Sequence, residues 1–236
     1  MTFQPTAFYF KLEGDYALWT TPETKGGGEK FTYSVPTFQA LKGIADSIYF
    51  KPTFINVIDE VKVLNEIHTE TKGVRTLVKK GTAVDRNYVT YLTSPVYLVK
   101  FHFEWNEDRK DLIYDRNQKK HEAIMERALK KGGRRDIFLG TRECLAYADI
   151  ISKEEYEKED SYYKGQSLSF GIMFHSFRYP SSSGKELYSL FTSVSMHDGI
   201  IEFKSPHECE IENKLSDYTF KFPKQIKSVD DEWKNN

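Results

Sequence analysis

Apolar and polar positions change period several times between residues 6 and 151, and each change predicts an element. Residues 6–19 begin with Phe8-Tyr9-Phe10 followed by Leu12, the aromatic texture of a strand. A loop carrying Gly26-Gly27-Gly28 fills residues 20–36. Thr37 is placed to cap a helix whose apolar stripe is Phe38, Leu41, Ile44, Ala45 and Ile48. The run Tyr49-Phe50-Lys51-Pro52 ends that helix, because proline disfavours helical backbone at the residue before it. Residues 54–68 predict a strand through Val57, Val61 and Val63, and the polar stretch 69–93 an inserted hairpin or flexible loop. Residues 95–105 alternate cleanly, with Tyr97, Val99, Phe101 and Phe103 on one face. A second helix is predicted over residues 116–131, stopped by Gly132-Gly133, and a further strand over 140–151.

The order β-α-β-β-α-β is the split pattern of ferredoxin-like and RNA-recognition folds, an α+β class with two helices on one face of a four-stranded antiparallel sheet. That topology carries many unrelated functions. Beyond it, the acidic stretch 153–160 reads as a linker. Strands are predicted over 167–179, 186–196 and 199–204, with a hairpin signal at His197-Asp198-Gly199, and the tail from Glu208 as mostly loop. The expectation is a ferredoxin-like (RRM-like) domain over residues 1–155 with an inserted hairpin, followed by a smaller C-terminal antiparallel β-sheet domain over 156–236.

Composition narrows the classes. Hydrophobic residues make up 39% of the 236 positions, including 17 Phe, 15 Tyr and 3 Trp, enough to build a core. No apolar run approaches the roughly 18–20 residues that span a bilayer, and Met1-Thr2-Phe3-Gln4-Pro5 lacks the basic and apolar regions of a secretory signal. Cys144 and Cys209 stand far apart, which excludes a zinc ribbon, a redox pair and a disulfide scaffold, and suits a reducing cytoplasm. The formal net charge of −1 hides an uneven distribution. Residues 109–142 hold 11 basic against 5 acidic side chains, a net of +6, whereas residues 151–236 carry −4. A local excess of this kind suggests a polyanion-binding surface, though a solvated basic helix face gives the same count.

The second helix carries the candidate chemistry. Ile124, Met125, Ala128 and Leu129 mark its buried stripe, which projected back one turn reaches Lys120 and His121 near the helix N-terminus, where backbone N–H groups attract phosphate. Imidazole transfers protons near neutral pH, and an ammonium stabilises charge on a phosphorane-like transition state. RNA supplies its own 2′-hydroxyl nucleophile, so such a site needs neither a metal nor a cofactor. On pattern alone the plainer reading, a half-buried histidine bonded to a backbone carbonyl, is the commoner one. His68, His102, His175, His197 and His207 show no metal-ligand spacing, and the glycine triplet is not a Walker A loop. Tyr9, Tyr97 and Phe101 suit base stacking or, more simply, the core.

Several ordered blocks together resemble a known family. Residues 10–19 (FKLEGDYALW), 33–37 (YSVPT), 45–52 (ADSIYFKP), 57–65 (VIDEVKVLN) and 139–147 (LGTRECLAY), with Lys120-His121 between, resemble the CRISPR-associated proteins of family five, in the subtype I-C (Dvulg) branch of the RAMP superfamily. The resemblance covers most of residues 8–151, with looser matches beyond. It implies a metal-independent endoribonuclease that cuts CRISPR repeat RNA (pre-crRNA) at its hairpin, leaves a 2′,3′-cyclic phosphate, and stays on the crRNA 5′ handle beside the backbone and large subunits of an effector complex. It implies Tyr49, Lys120 and His121 as the catalytic residues, with His121 transferring protons, Lys120 stabilising charge and Tyr49 orienting by hydrogen bond. Lys119, Arg134 and Arg135 are the expected RNA contacts, and the run Lys131-Gly132-Gly133-Arg134-Arg135 is more basic than the family pattern. A non-catalytic subunit that caps the 5′ handle and a generic RNA-binding module remain as alternatives. The second lacks support because the aromatic signature of RNA-recognition motifs is missing.

Overall fold

The computed structural model describes residues 4–77, 84–180 and 186–217. In chain order it forms β1 (Phe8–Gly14), β2 (Tyr16–Ala17), β3 (Glu29–Phe31), α1 (Phe38–Ile48), β4 (Phe54–Val63), β5 (Thr69–Leu77), β6 (Val84–Thr93) and β7 (Val96–Trp105). There follow α2 (Gln118–Leu129), β8 (Ile137–Phe138), β9 (Leu145–Ile150), α3 (Lys153–Lys158), β10 (Ser167–Arg178), β11 (Glu186–His197), β12 (Ile200–Glu202) and β13 (Ile211–Asp217). The protein is a mixed α/β molecule built mainly of antiparallel sheet.

The larger sheet runs β10-β11-β12-β4-β7-β1-β9-β8, with β13 also on β11. Its centre pairs β1 antiparallel with β7 and β9, and β4 antiparallel with β7. Alternation sends Phe8, Phe10, Leu12, Phe101, Phe103, Ala146 and Ala148 inward, where α1 packs on β4 and α2 on β9. Thr37 caps α1 as its position predicts, accepting from Ala40 N–H at 3.2 Å. The five apolar residues of the predicted stripe are its buried face. Tyr97 and Phe101 belong to the core, and Tyr9 leans on Tyr156.

The polar insertion is a hairpin, β5 against β6, in a second sheet with β2 and β3; its tip, residues 78–83, lies outside the described residues. Three expectations are corrected. Residues 20–36 are not all loop, because β3 pairs in parallel with β6. The acidic stretch read as a linker forms α3, held by a capping box between Ser152 and Glu155. The tail after Glu208 begins with β13, which pairs with β11; residues 218–236 lie outside the described residues.

Hydrogen bonding runs through the expected boundary at 155/156. β12 pairs with β4 through Ile200↔Lys62 and Ile201↔Val61, so the last strands extend the edge of the central sheet. The turn between β11 and β12 places Asp198 at φ 53° and Gly199 at φ 80°, two successive positive values that an Asp-Gly pair tolerates. Lys62 is buried beneath α3 and donates to the carbonyls of Tyr156 at 2.6 Å and Glu159 at 3.0 Å.

Candidate active site

The site forms where the C-terminus of α1 meets the N-terminus of α2. Tyr49 is the residue that ends α1: its backbone is extended, and its N–H still closes the last turn onto Ala45. Asn56 of β4 fixes the exit by donating to the Tyr49 carbonyl at 3.1 Å and to Asp46 at 2.9 Å. The second helix starts two residues later than the apolar pattern predicts. Asn117, a stronger cap than Arg116, accepts from Lys120 N–H at 3.1 Å. Lys120 and His121 therefore occupy the first turn of α2, with both backbone N–H groups bonded to Asn117.

His121 is fully buried. Its ring sits among Phe54, Phe103 and Trp105, centroids 5.3, 6.4 and 5.9 Å away, a box made by pairing Phe54 opposite Trp105 across β4 and β7. Nε2 lies 2.9 Å from the backbone carbonyl of Asp115, which can only accept, so Nε2 carries the hydrogen. In the neutral ring Nδ1 then accepts from the Tyr49 hydroxyl at 2.9 Å. Lys120 lies at the rim, with its side chain about half exposed, and pairs with the Asp115 carboxylate. Thr53 donates to the other carboxylate oxygen at 2.7 Å, and that oxygen is 3.5 Å from Nε2.

The electrostatics follow from these contacts. The Lys120 ammonium, with the Thr53 hydroxyl behind it, holds the Asp115 carboxyl below the usual carboxylate range. Burial raises the Tyr49 hydroxyl; the Arg134 guanidinium, stacked 4.6 Å over its ring, opposes that shift. The turn through Gly132 (φ 75°) and Gly133 (φ 103°) allows this approach, since few other residues take such angles. Arg134 and Arg135 are exposed and line an open cleft of about 610 Å³ with Lys130, Lys131 and Tyr147; Lys119 is exposed on α2.

The structure thus brings Tyr49, Lys120 and His121 together with Arg134. Lys119 is not among the contacts of the cluster, and Arg135 lines the adjoining cleft. The sequence reading missed Asp115 and Thr53. Asp115 ends a short kinked 3-10 segment and Thr53 lies in a turn, where no periodicity marks a side chain as inward-facing. Among the described residues no group of three His, Cys, Asp or Glu side chains is arranged to hold a metal ion, and no helix is long and apolar enough to cross a membrane.

A mixed α/β sheet protein that gathers a tyrosine, a lysine and a histidine beside a basic cleft is the class of molecule that the fold and the site define. Within it, the profile of the family described as "CRISPR-associated protein (Cas_Cas5)" matches residues 8–204, and the chain belongs to that family, in its Cas5d branch. A solved structure described as that of a CRISPR-associated protein is 52% identical and superposes with a TM-score of 0.79 over 90% of this chain and 99% of its own. Two relatives carry the name CRISPR pre-crRNA endoribonuclease Cas5d. The one from Mannheimia succiniciproducens is 28% identical over 165 residues, 60% of this chain and 71% of its own. The one from Thermus thermophilus is 27% identical over 186 residues, 74% of this chain and 75% of its own.

Proposed function

We propose that this protein is an endoribonuclease that cleaves CRISPR repeat RNA at its hairpin and then stays on the crRNA 5′ handle. The observation that carries the reading is the hydrogen-bonded row Tyr49–His121–Asp115–Lys120 at the N-terminus of α2, beside the cleft of Arg134 and Arg135. The relatives named as pre-crRNA endoribonucleases support the same activity. In the reaction the 2′-oxygen bonds to phosphorus as the bond from phosphorus to the 5′-oxygen breaks. The 2′-hydroxyl proton leaves to a base and the departing 5′-oxygen gains one, giving a 2′,3′-cyclic phosphate and a 5′-hydroxyl. His121 handles the proton, Lys120 stabilises charge on the phosphorane-like transition state, and Tyr49 orients the imidazole. Nothing in this scheme requires a metal.

One observation favours a second reading, a subunit that binds the 5′ handle without cutting: His121 is fully buried with both ring nitrogens bonded. In either case the central strands β4-β7-β1-β9 with α1 and α2 are read as a ferredoxin-like unit within residues 1–155. Residues 156–236, which carry a net charge of −3, are read as a β-rich unit facing other effector subunits in the cytoplasm, because like charge repels phosphate.

The deciding experiment incubates the purified protein with repeat hairpin and with scrambled RNA, both in EDTA. The hairpin should be cut, with cyclic-phosphate ends. A single 2′-deoxy substitution before the scissile phosphate should stop cutting and spare binding. His121→Ala should lower the rate by about 10²–10⁴. Cleavage of the deoxy RNA would refute the mechanism; binding without any cleavage would favour the second reading.

A further inference from the structure

Asp115 closes a six-residue 3-10 segment, Lys110–Asp115, which breaks at Leu112 into two short turns and holds Ile113 and Tyr114 out in solvent. Its carboxylate is held on one side by the Lys120 ammonium and on the other by the Thr53 hydroxyl at 2.7 Å, with one oxygen 3.5 Å from His121 Nε2. Thr53 is itself only 2% exposed, so its hydroxyl is a buried donor aimed at this one anion. An anion with a cation on one oxygen, a hydroxyl on the other and an imidazole N–H alongside has the same needs as a phosphodiester. Two anions do not share such a place, because each repels the other and only one set of donors is at hand.

We propose that the Asp115 carboxylate occupies the position of the scissile phosphate, and that Thr53 is a further phosphate-positioning residue. RNA engages the site by displacing Asp115. This rests on the endoribonuclease reading and supplies what that reading lacks, a route by which a buried His121 meets its substrate. The same displacement withdraws the Asp115 carbonyl from Nε2 and leaves that nitrogen facing the incoming phosphate. The segment that moves is bounded. Arg116 is tied to Glu107 and to the Asn106 carbonyl, each at 2.9 Å, and Asn117 caps α2. Withdrawing the Asp115 carbonyl also frees the Asn117 N–H that it accepts at 2.8 Å. The Asn117 side chain still caps Lys120 N–H and its carbonyl still accepts from His121 N–H at 3.1 Å, so the first turn of the helix keeps its own bonds while the turn before it gives way.

The test uses the full chain and a repeat hairpin made uncleavable by 2′-deoxy substitution. Asp115→Asn, which keeps the size of the side chain, and Asp115→Ala should each bind this RNA on the order of tenfold more tightly, because an internal competitor has lost its charge or been removed. Cleavage of native RNA by both should be inhibited at lower inorganic phosphate than in the unmodified protein. Thr53→Val should raise KM for native RNA several-fold and weaken phosphate inhibition, with its melting temperature reporting that the fold persists. Thr53→Ser should restore both. Variants of Asp115 that bind the deoxy RNA no more tightly, or that lose kcat at unchanged affinity, would overturn the proposal and make Asp115 a fixed partner of His121. Cleavage by His121→Ala at the unmodified rate would instead refute the reading of the site on which the proposal stands.

Discussion

Tyr49 and His121 depend on each other for satisfaction. The Tyr49 hydroxyl donates to the one ring nitrogen that Asp115 leaves open, in a place without water access. Tyr49→Phe keeps the ring packing and removes the donor, so Nδ1 becomes a buried acceptor without a partner. The expected cost is about 1–3 kcal/mol, read by denaturant unfolding, together with slower cleavage at unchanged RNA affinity. Arg134 and Arg135 act differently, since both are exposed. Replacing both by Ala should weaken binding to all RNAs alike and flatten the logarithmic salt dependence by about 0.7 for each phosphate left without its cation. An unchanged salt slope would assign those phosphates to other residues.

At the scale of elements, the two helices and the central strands were legible because burial leaves a period. Phe38 to Ile48 and Met125 to Leu129 repeat as a helix face must, and β7 alternates as a half-covered strand must. Where position was set by capping or pairing, the pattern said less. Ser152-x-x-Glu155 was readable as a capping box, but the acidity of residues 153–160 masked it. β13 offered no alternation at all, since every residue in it is exposed and only pairing with β11 orders it. The same limit separates the site residues: His121 and Lys120 sit on a periodic helix, whereas Asp115 and Thr53 are placed by turns.

Between β4 and β7 one pair makes the sheet sensitive to pH. His102 Nδ1 lies 2.8 Å from an Asp59 oxygen, and that carboxylate raises the histidine above its ordinary value. A raised folded-state value means the folded chain holds this proton more tightly than the unfolded one. The pair's stabilisation is complete below the unfolded histidine value, about 6.5, and is lost as pH rises through the higher folded value. Unfolding midpoints should fall as pH rises above about 6.5, and Asp59→Asn should remove that slope; a slope unchanged in the variant would place its origin elsewhere.

For the molecule as a whole, the continuous sheet couples the last strands to the first. β12 completes the edge of β4, and Ser161 donates to the Val63 carbonyl. A chain ended at Ile151 would lose that pairing and strip Lys62 of its acceptors. It should therefore be strongly destabilised or fail to fold, rather than survive as a lighter RNA-binding unit. The full chain should unfold in one transition, seen alike by tyrosine fluorescence and by circular dichroism. Recovery of a stable, cooperatively melting fragment would show that the sheet divides after all.

Lys62 has a consequence of a chemical kind. Two carbonyl oxygens hold its ammonium, the Tyr156 ring lies 4.6 Å away, and burial pulls its pKa down. A lowered value would ordinarily make an amine a better nucleophile, yet here no electrophile can reach it while α3 stays docked. Acylating reagents will mark the surface lysines at once and Lys62 only when the helix lifts. The extent of its acylation under native conditions is a clock for the opening of the seam between the first and last parts of the chain.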